Sequence, residues 1–249
     1  ESIEVFVSME TFLSLDTVRF IRACHPAVTV GLNVDRYRLF DHSIADHTLA
    51  HPRRHVTERL RAIAALMAVP WHEGTDLADA LGPTQRLPQP HVLINTHGAA
   101  PERSFSPRSV QWLLDAIHER HPTAHVLLSS PIQARESLHP ILHAHAAHVS
   151  FVQADLPLTA WMRHIAACDA VVSTDTGAGH VAAALGVPLA VFFADTHYNP
   201  VVWMPQGQDV YPVLPQRAGH VDSFDPTMAV AALNEVLRSK KGQAYGLQA

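Results

Sequence analysis

The sequence has few of the features that nucleic-acid-binding and membrane-spanning proteins need. Its 249 residues include only two lysines, Lys240 and Lys241, and the formal net charge is -5. No basic stripe is present, so we do not expect a nucleic-acid partner. No run of about 18 apolar residues occurs, so no transmembrane helix is expected, and no signal-peptide pattern is seen.

Cysteine is also scarce. Cys24 and Cys168 are too few for a disulfide framework and indicate a reducing compartment or small apolar core positions. Histidine is abundant instead, with 19 residues, but these are scattered and form no H-E-x-x-H motif. His51 and His55 have helical spacing, whereas a zinc site needs three or four ligands. We therefore predict that the protein holds no metal.

A hydrophobic share of 47% against 16% charged residues is enough for a sizeable core. Strand-like and helix-like stretches alternate, which predicts an α/β fold with a parallel, doubly wound sheet. Strands are predicted at 3–8, 27–32, 91–95, 125–129, 149–152, 169–173 and 187–193. Helices are predicted at 12–24, 52–69, 107–119, 132–146, 157–167, 177–185 and 226–239.

The chain divides where this rhythm is lost. Residues 70–91 contain several prolines and glycines and show no periodicity, which is typical of a linker or domain boundary. We predict an N-terminal part at 1–75, a linker at 76–90 and a C-terminal domain at 91–249.

Three loops follow predicted parallel strands, where open α/β sheets bind ligands. The first, at 95–103, contains Gly98 and Arg103, whose N–H groups suit phosphate; a solvated turn is the alternative. The second, at 173–180, opens a helix, and its N–H groups and dipole favour an anion such as a diphosphate. Its alternative is a core helix that Asp175 or Thr176 caps. The third, at 193–207, contains polar and aromatic residues, which favours a loop that determines substrate specificity. Its alternative is an ordinary surface loop.

These loops resemble the ADP-heptose:lipopolysaccharide heptosyltransferases, glycosyltransferase family 9. The family motif D-T-G-x-x-H stands at 175–180, and its L-A-A-A-x-G-x-P continuation matches 181–188. Residues 97–99 and 103–106 match the family's Pro-Gly-Ala loop and its Lys-x-Trp-Pro. Residues 193–196 and 205–207 match its Phe-Gly-Pro-Thr-like loop and its Pro-x-Gly.

The resemblance implies a GT-B architecture of two Rossmann-like halves, with the N-terminal half truncated here. It also implies inverting, metal-independent transfer of heptose from ADP-heptose to a lipopolysaccharide-core or related hydroxyl, with the ADP-sugar as substrate and no cofactor. The implied donor-binding residues come from all three loops and, for Glu136, from the loop after the strand at 125–129. They are Gly98, Arg103, Glu136, Thr174, Asp175, Thr176, Gly177, His180 and Thr196, with Arg103 in place of the family lysine and Glu136 assigned to the ribose.

Two departures from the family pattern affect this interpretation. The family's N-terminal Gly-Asp loop, which supplies the general base, has no counterpart, so we expect either a fragment of a longer protein or a protein that lacks its base. Ala194 and Asp195 replace a Gly-Pro pair, and a carboxylate there would repel a diphosphate unless it faces the sugar hydroxyls.

The alternatives are a catalytically inactive nucleotide-sugar-binding module and a GT-B-type epimerase, for which no pair of acid/base carboxylates is evident. If the chain is a family 9 glycosyltransferase, the resemblance implies that the enzyme works in the bacterial cytoplasm, at the inner membrane, on a lipid-linked or protein acceptor. Arg238, Lys240 and Lys241 are the sole hint of peripheral membrane contact. An unpaired edge in the N-terminal part predicts a homodimer.

Overall fold

The computed structural model describes residues 3–9, 14–32, 39–44, 54–72, 74, 77–84, 90–153 and 156–238. The chain forms two compact units. The first comprises Glu1–Glu73 with Val201–Trp203, and the second comprises Gly74–Pro200 with Met204–Ala249. Both contain parallel sheets flanked by helices, which confirms the expected α/β class.

The first unit contains a three-stranded parallel sheet in the order β1-β2-β3. Its strands are β1 (Val5–Val7), β2 (Val28–Leu32) and β3 (His42–Ile44), and its helices are α1 (Leu15–Cys24) and α2 (Val56–Leu66). Val30, Ile44 and Ile63 form a small core between sheet and helix. The imidazole of His55 caps α2 by accepting a hydrogen bond from the Thr57 N–H at 3.2 Å. His55 thus has a structural role, while His51 lies outside the described residues.

The second unit contains a six-stranded sheet in the order β6-β5-β4-β7-β8-β9, in which every described pairing is parallel. Its strands are β4 (His91–Asn95), β5 (His125–Ser129), β6 (Val149–Phe151), β7 (Ala170–Thr174), β8 (Leu189–Phe192) and β9 (Val210–Val213). Numbered within the unit, this order is 3-2-1-4-5-6, that of a Rossmann sheet. The strand order reverses between β4 and β7.

Helices cover both faces of this sheet because its central strands are apolar on both sides. The helices of this unit are α3 (Leu77–Leu81), α4 (Pro107–Arg120), α5 (Ile132–Ala144), α6 (Leu158–Ala167), α7 (Gly177–Ala184) and α9 (Pro226–Arg238). A further short helix, α8 (Asn199–Val202), contains residues of both units. Val92 and Ile94 pack with α4, α5 and α9, whereas Leu93 packs with α6 and α7. This alternation confirms the doubly wound arrangement.

The predicted helices and strands are confirmed with small shifts at their ends, and four elements were not expected. Helix α3 lies inside the segment predicted as a linker. Strand β9 contains Pro212, which argues against a central strand but is tolerated at a sheet edge. Strand β3 and helix α8 have only three and four residues, too few for a periodic pattern to identify them.

Candidate functional site

The candidate site lies at the carboxyl edge of the six-stranded sheet, around the reversal of strand order. The loops after β4 and β7 meet there because these two strands are neighbours. In open α/β sheets this is the position where ligands bind. Topology thus brings the first two predicted loops together, and the third follows β8, which is the neighbour of β7 on its other side.

The loop after β7 leads directly into α7. Thr174 and Asp175 are buried, and Thr176 is the N-cap residue of the helix. A Cβ added to Gly177 would meet no atom within 4 Å, so the start of the helix faces open space. A Cβ on Gly179 would lie 3.5 Å from Leu189 and Pro205, so that glycine faces the protein interior. A ligand can therefore approach the backbone at Gly177, as expected, but not at Gly179.

Arg103 and Asp175 tie the two loops together. Nη2 of Arg103 lies 2.9 Å from Oδ2 of Asp175 and donates a hydrogen bond to the Asp175 carbonyl. Burial raises the pKa of Asp175, the Arg103 charge opposes that rise, and the charge of Asp195 adds to it. The arginine that was expected to contact phosphate therefore also neutralises a buried carboxylate.

Gly98 has a different role from the one expected of it. Its N–H donates to the Ser104 hydroxyl at 3.1 Å and is not turned toward an anion. A Cβ at Gly98 would lie 2.6 Å from the Arg103 carbonyl oxygen, so only glycine allows this close approach. The Gly98 N–H is therefore engaged within its own loop, and contact of the backbone near Gly98 with phosphate stays a prediction; the residue shapes the loop that presents Arg103.

Asn95 is a residue of the site that the sequence analysis did not select. It ends β4, is buried, and donates from Nδ2 to the His97 carbonyl at 3.1 Å and to Thr176 Oγ1 at 3.1 Å. It therefore bridges the loop after β4 and the start of α7. An asparagine at the end of a strand, next to a glycine-containing loop, was the signal that could have indicated this role. Its hydrogen-bond partner Thr176, however, is 81 residues away in the chain.

A cavity of about 590 Å³ opens beside this bridge, along the ends of β4, β5 and β6. Asn95, His97 and Trp161 line it, and the indole N–H of Trp161 donates to Ser129 Oγ at 3.2 Å. Arg135 also lines it; its Nε donates to the Ser130 carbonyl at 3.2 Å and its guanidinium lies 4.7 Å from the Phe151 ring centroid. The cavity therefore offers an aromatic surface and several polar groups, which suits a flat heterocycle and a sugar.

Three buried polar atoms at this edge make no hydrogen bond of good geometry: Arg103 Nε, Thr174 Oγ1 and Asp175 Oδ2. Asp175 Oδ2 is close to Arg103 but accepts no aligned hydrogen bond. Native proteins leave few buried polar groups unsatisfied, and such groups often mark a site that a ligand or water completes.

The family's sequence profile, described as glycosyltransferase family 9 (heptosyltransferase), matches residues 50–221 of this chain. That segment includes both loops and the helix that they position. The chain belongs to glycosyltransferase family 9.

Solved structures of low sequence identity show the same fold. ADP-heptose lipopolysaccharide heptosyltransferase II of E. coli has 18% identity and a TM-score of 0.65, over 95% of this chain and 77% of that one. E. coli heptosyltransferase WaaC with ADP has 13% identity and a TM-score of 0.66, over 96% and 73%. The UDP-GlcNAc 2-epimerase of Methanocaldococcus jannaschii has 12% identity and a TM-score of 0.52, over 95% and 71%.

Because an epimerase shares the fold, the fold alone does not separate transferase from epimerase; the family profile does. A search of curated proteins found no match. The neighbours agree with the GT-B-like class expected of family 9.

Asp195, which departs from the family 9 pattern, has its carboxylate engaged by its own loop. Its Oδ1 accepts hydrogen bonds from the N–H groups of His197 and Tyr198 at 2.9 Å and of Asn199 at 3.2 Å. These bonds hold the loop before α8, and Thr196 lies half-buried within it. The repulsion expected between Asp195 and a diphosphate is therefore reduced by three local donors.

Two other predicted residues of the family 9 site lie on helices. Glu136 is exposed in the second turn of α5 and not in the loop after β5, and it does not line the cavity. Its placement in that loop is corrected here. His180 lies half-buried in α7, one turn after Thr176.

Within the described ranges, no three or more His, Cys, Asp or Glu side chains are arranged to hold a metal ion. None of the helices in those ranges combines the length and apolar character that a membrane span requires.

Proposed function

We propose that this chain binds ADP-heptose at the carboxyl edge of the six-stranded sheet and that the protein transfers the heptose, with inversion, to a sugar hydroxyl of a lipopolysaccharide core or a related acceptor. The observation behind the proposal is the Arg103–Asp175 ion pair beside the open start of α7, together with the buried Arg103 Nε and Thr174 Oγ1, which make no hydrogen bond in the structure. Family membership supports the same assignment.

The diphosphate is proposed to lie at the start of α7. The first N–H groups of a helix have no partner within the helix, and the helix dipole favours negative charge there. Arg103 adds a cationic group that remains charged at any working pH. When the glycosidic bond breaks, negative charge develops on the leaving diphosphate, so these groups stabilise it more in the transition state than in the bound donor.

The nucleoside is proposed to occupy the neighbouring cavity. Trp161 supplies an aromatic surface, and Asn95 and His97 supply polar groups at the end nearest α7. Burial lowers the pKa of His97, so its ring is neutral at pH 7 and has one nitrogen to donate and one to accept a hydrogen bond. Because Glu136 does not line this cavity, its proposed contact with the ribose requires a different position of the nucleoside or of α5.

An inverting transfer also needs a general base near the acceptor hydroxyl. We propose that this base lies outside the two loops described here, and that the acceptor is lipid-linked or a protein. A cytoplasmic site of action at the inner membrane, peripheral membrane contact and a homodimer are parts of the same proposal. Light scattering over a range of protein concentrations tests the dimer.

The test is calorimetric titration of the chain with ADP and with ADP-heptose, repeated on Asp175→Asn. The asparagine keeps the shape but removes the negative charge that holds the Arg103 guanidinium in place, so we expect both ADP and ADP-heptose to bind more weakly than they bind to the wild-type chain. Arg120→Met is the matched control, because Arg120 lies at the end of α4, where it bonds Asn234 and the Ala116 carbonyl.

Absence of ADP and ADP-heptose binding by the folded wild-type chain would contradict the proposal. Binding without transfer to any sugar acceptor, measured with the complete protein, would favour an inactive nucleotide-sugar-binding module instead.

A further inference from the structure

Thr176 begins α7, but its side chain does not cap that helix. A threonine at an N-cap position usually accepts a hydrogen bond from an N–H of the first turn. The Thr176 hydroxyl makes no such bond. Ser14 and Ser106, in the same position at α1 and α4, do cap their helices, accepting from Thr17 at 3.1 Å and from Ser109 at 3.3 Å.

Three other groups hold the Thr176 hydroxyl away from the helix. It donates to the Thr174 carbonyl at 3.3 Å, lies 3.2 Å from Ser173 Oγ and accepts from Asn95 Nδ2 at 3.1 Å. Ser173 Oγ itself donates to the Thr174 carbonyl at 2.7 Å. The hydroxyl is thus turned back toward the strand that precedes it.

Asn95 is the member of this network that comes from another strand. Its amide nitrogen also faces the His97 carbonyl, which can only accept a hydrogen bond, so the nitrogen and not the oxygen must point that way. Only 8% of the residue is exposed, so water does not compete for these bonds. A planar amide with two N–H groups is needed to reach one acceptor on each loop.

We propose that Asn95 is a positioning residue of the donor site: its amide keeps the Thr176 hydroxyl from capping α7, and the N–H groups of Gly177 and Ala178 stay open to the phosphate of the ligand. The N–H of Gly179 already donates to the Thr176 carbonyl at 3.1 Å and takes no part. This inference rests on the proposed function. It assigns Thr176 an indirect role, since the orientation of its hydroxyl decides whether the helix start is open.

A double-mutant cycle with ADP as the probe tests the inference. Asn95→Leu releases the Thr176 hydroxyl to cap α7, and we expect ADP to bind about tenfold more weakly, the effect of losing about one hydrogen bond to a charged group. In a Thr176→Val background no hydroxyl is present to cap the helix. There the same Asn95→Leu substitution should change the dissociation constant less than about twofold.

If Asn95→Leu weakened ADP binding equally in the wild-type and the Thr176→Val backgrounds, the inference would be overturned, because Asn95 would then act without Thr176. If Asn95→Leu does not fold by circular dichroism, Ser173→Ala replaces it, with an expected loss of about threefold that Thr176→Val again suppresses. An equal loss from Ser173→Ala in both backgrounds overturns the inference too. A wild-type chain that binds no ADP overturns the proposed function, and this inference with it, whereas wild-type binding without coupling overturns this inference alone.

Discussion

The two edges of the six-stranded sheet differ in the charges that accompany their buried titratable groups. At the carboxyl edge, burial raises the pKa of Asp175, and the positive charge of Arg103 beside it opposes that rise. At the amino edge, histidine rings gather, and desolvation lowers the pKa of both His118 and His125. A charged group survives burial where a counter-charge accompanies it, and otherwise loses its charge.

The amino edge is built from histidines that start strands or end helices. The rings of His91 and His125 lie 5.3 Å apart, and that of His118 lies 5.8 Å from His145 and 5.6 Å from His148. Neighbouring histidines disfavour each other's protonation, whereas the carboxylate of Asp115 partly offsets this at His118. Protonation of His118 and His125 is thus disfavoured at this edge, whereas Arg103 and Asp175 form an ion pair at the other edge.

Breaking the Arg103–Asp175 pair should have the largest effect. Arg103→Met leaves the Asp175 carboxylate buried without its counter-charge, and we expect a loss of about 2 kcal/mol of unfolding free energy, below the range for fully buried pairs because the Arg103 side chain is 31% exposed. Removing the cation should also weaken ADP binding by about a hundredfold. Urea unfolding and calorimetry measure the two effects.

Arg120→Met, at the amino edge, provides the comparison. It also removes a hydrogen-bonded arginine, so it should lower stability but leave the ADP dissociation constant unchanged. If both variants weakened ADP binding equally, the two edges would not differ in function as argued here.

A methyl group at the start of α7 should have the next largest effect. Gly177→Ala places its Cβ in open space, so we expect stability to stay the same or rise. The methyl would stand where the phosphate approaches the backbone, and ADP should bind about tenfold more weakly, roughly the loss of one charged hydrogen bond. Gly179→Ala, whose Cβ meets Leu189 and Pro205 at ordinary contact distance, should leave ADP binding unchanged. If Gly179→Ala weakened ADP binding more than Gly177→Ala did, the ligand would not lie at the start of α7.

Acidification should produce the smallest effect, and with opposite signs at the two edges. The pKa values of His118 and His125 are lowered in the folded chain, so the unfolded chain binds protons more readily. Their contribution to the free energy of unfolding is therefore full above pH 6.5, the ordinary histidine pKa, and is lost as the pH falls below that value. The raised pKa of Asp175 acts in the other direction: its contribution is lost as the pH rises above 3.8, the ordinary value for aspartate.

Urea unfolding between pH 7.5 and pH 5.5 isolates the histidine effect. A variant with His118→Gln and His125→Gln should show a flatter pH dependence than wild type. An unchanged slope would mean that these two rings do not control stability in this range.

Much of the fold followed from local patterns. The apolar run at β8 predicted a strand covered on both faces, and α4 and α7 begin within one residue of their expected starts. The D-T-G-x-x-H motif indicated the start of α7 from its residue types alone. Strand β9 was missed because proline disfavours a strand by local propensity. At the edge of a sheet, a residue without an N–H is tolerated because no neighbouring strand needs that hydrogen bond.

The site was less predictable than the fold. Arg103 and Asp175 were both selected, but their pairing joins residues 72 positions apart. Gly98 was selected for its N–H, which Ser104 occupies, and Glu136 was assigned to a loop although it lies on α5. Asn95 was not selected, because its hydrogen bond to the Thr176 hydroxyl at the start of α7 joins residues 81 positions apart.

The sequence by itself determined the α/β class, most of the strands and helices, the family and the loops that carry polar groups, because each depends on residues close together in the chain. Only the tertiary structure decided which of those groups meet, which N–H groups are already occupied, and which buried atoms lack partners. Hydrogen bonding and desolvation act through space, and the parallel pairing of β4 with β7 brings distant residues to one edge.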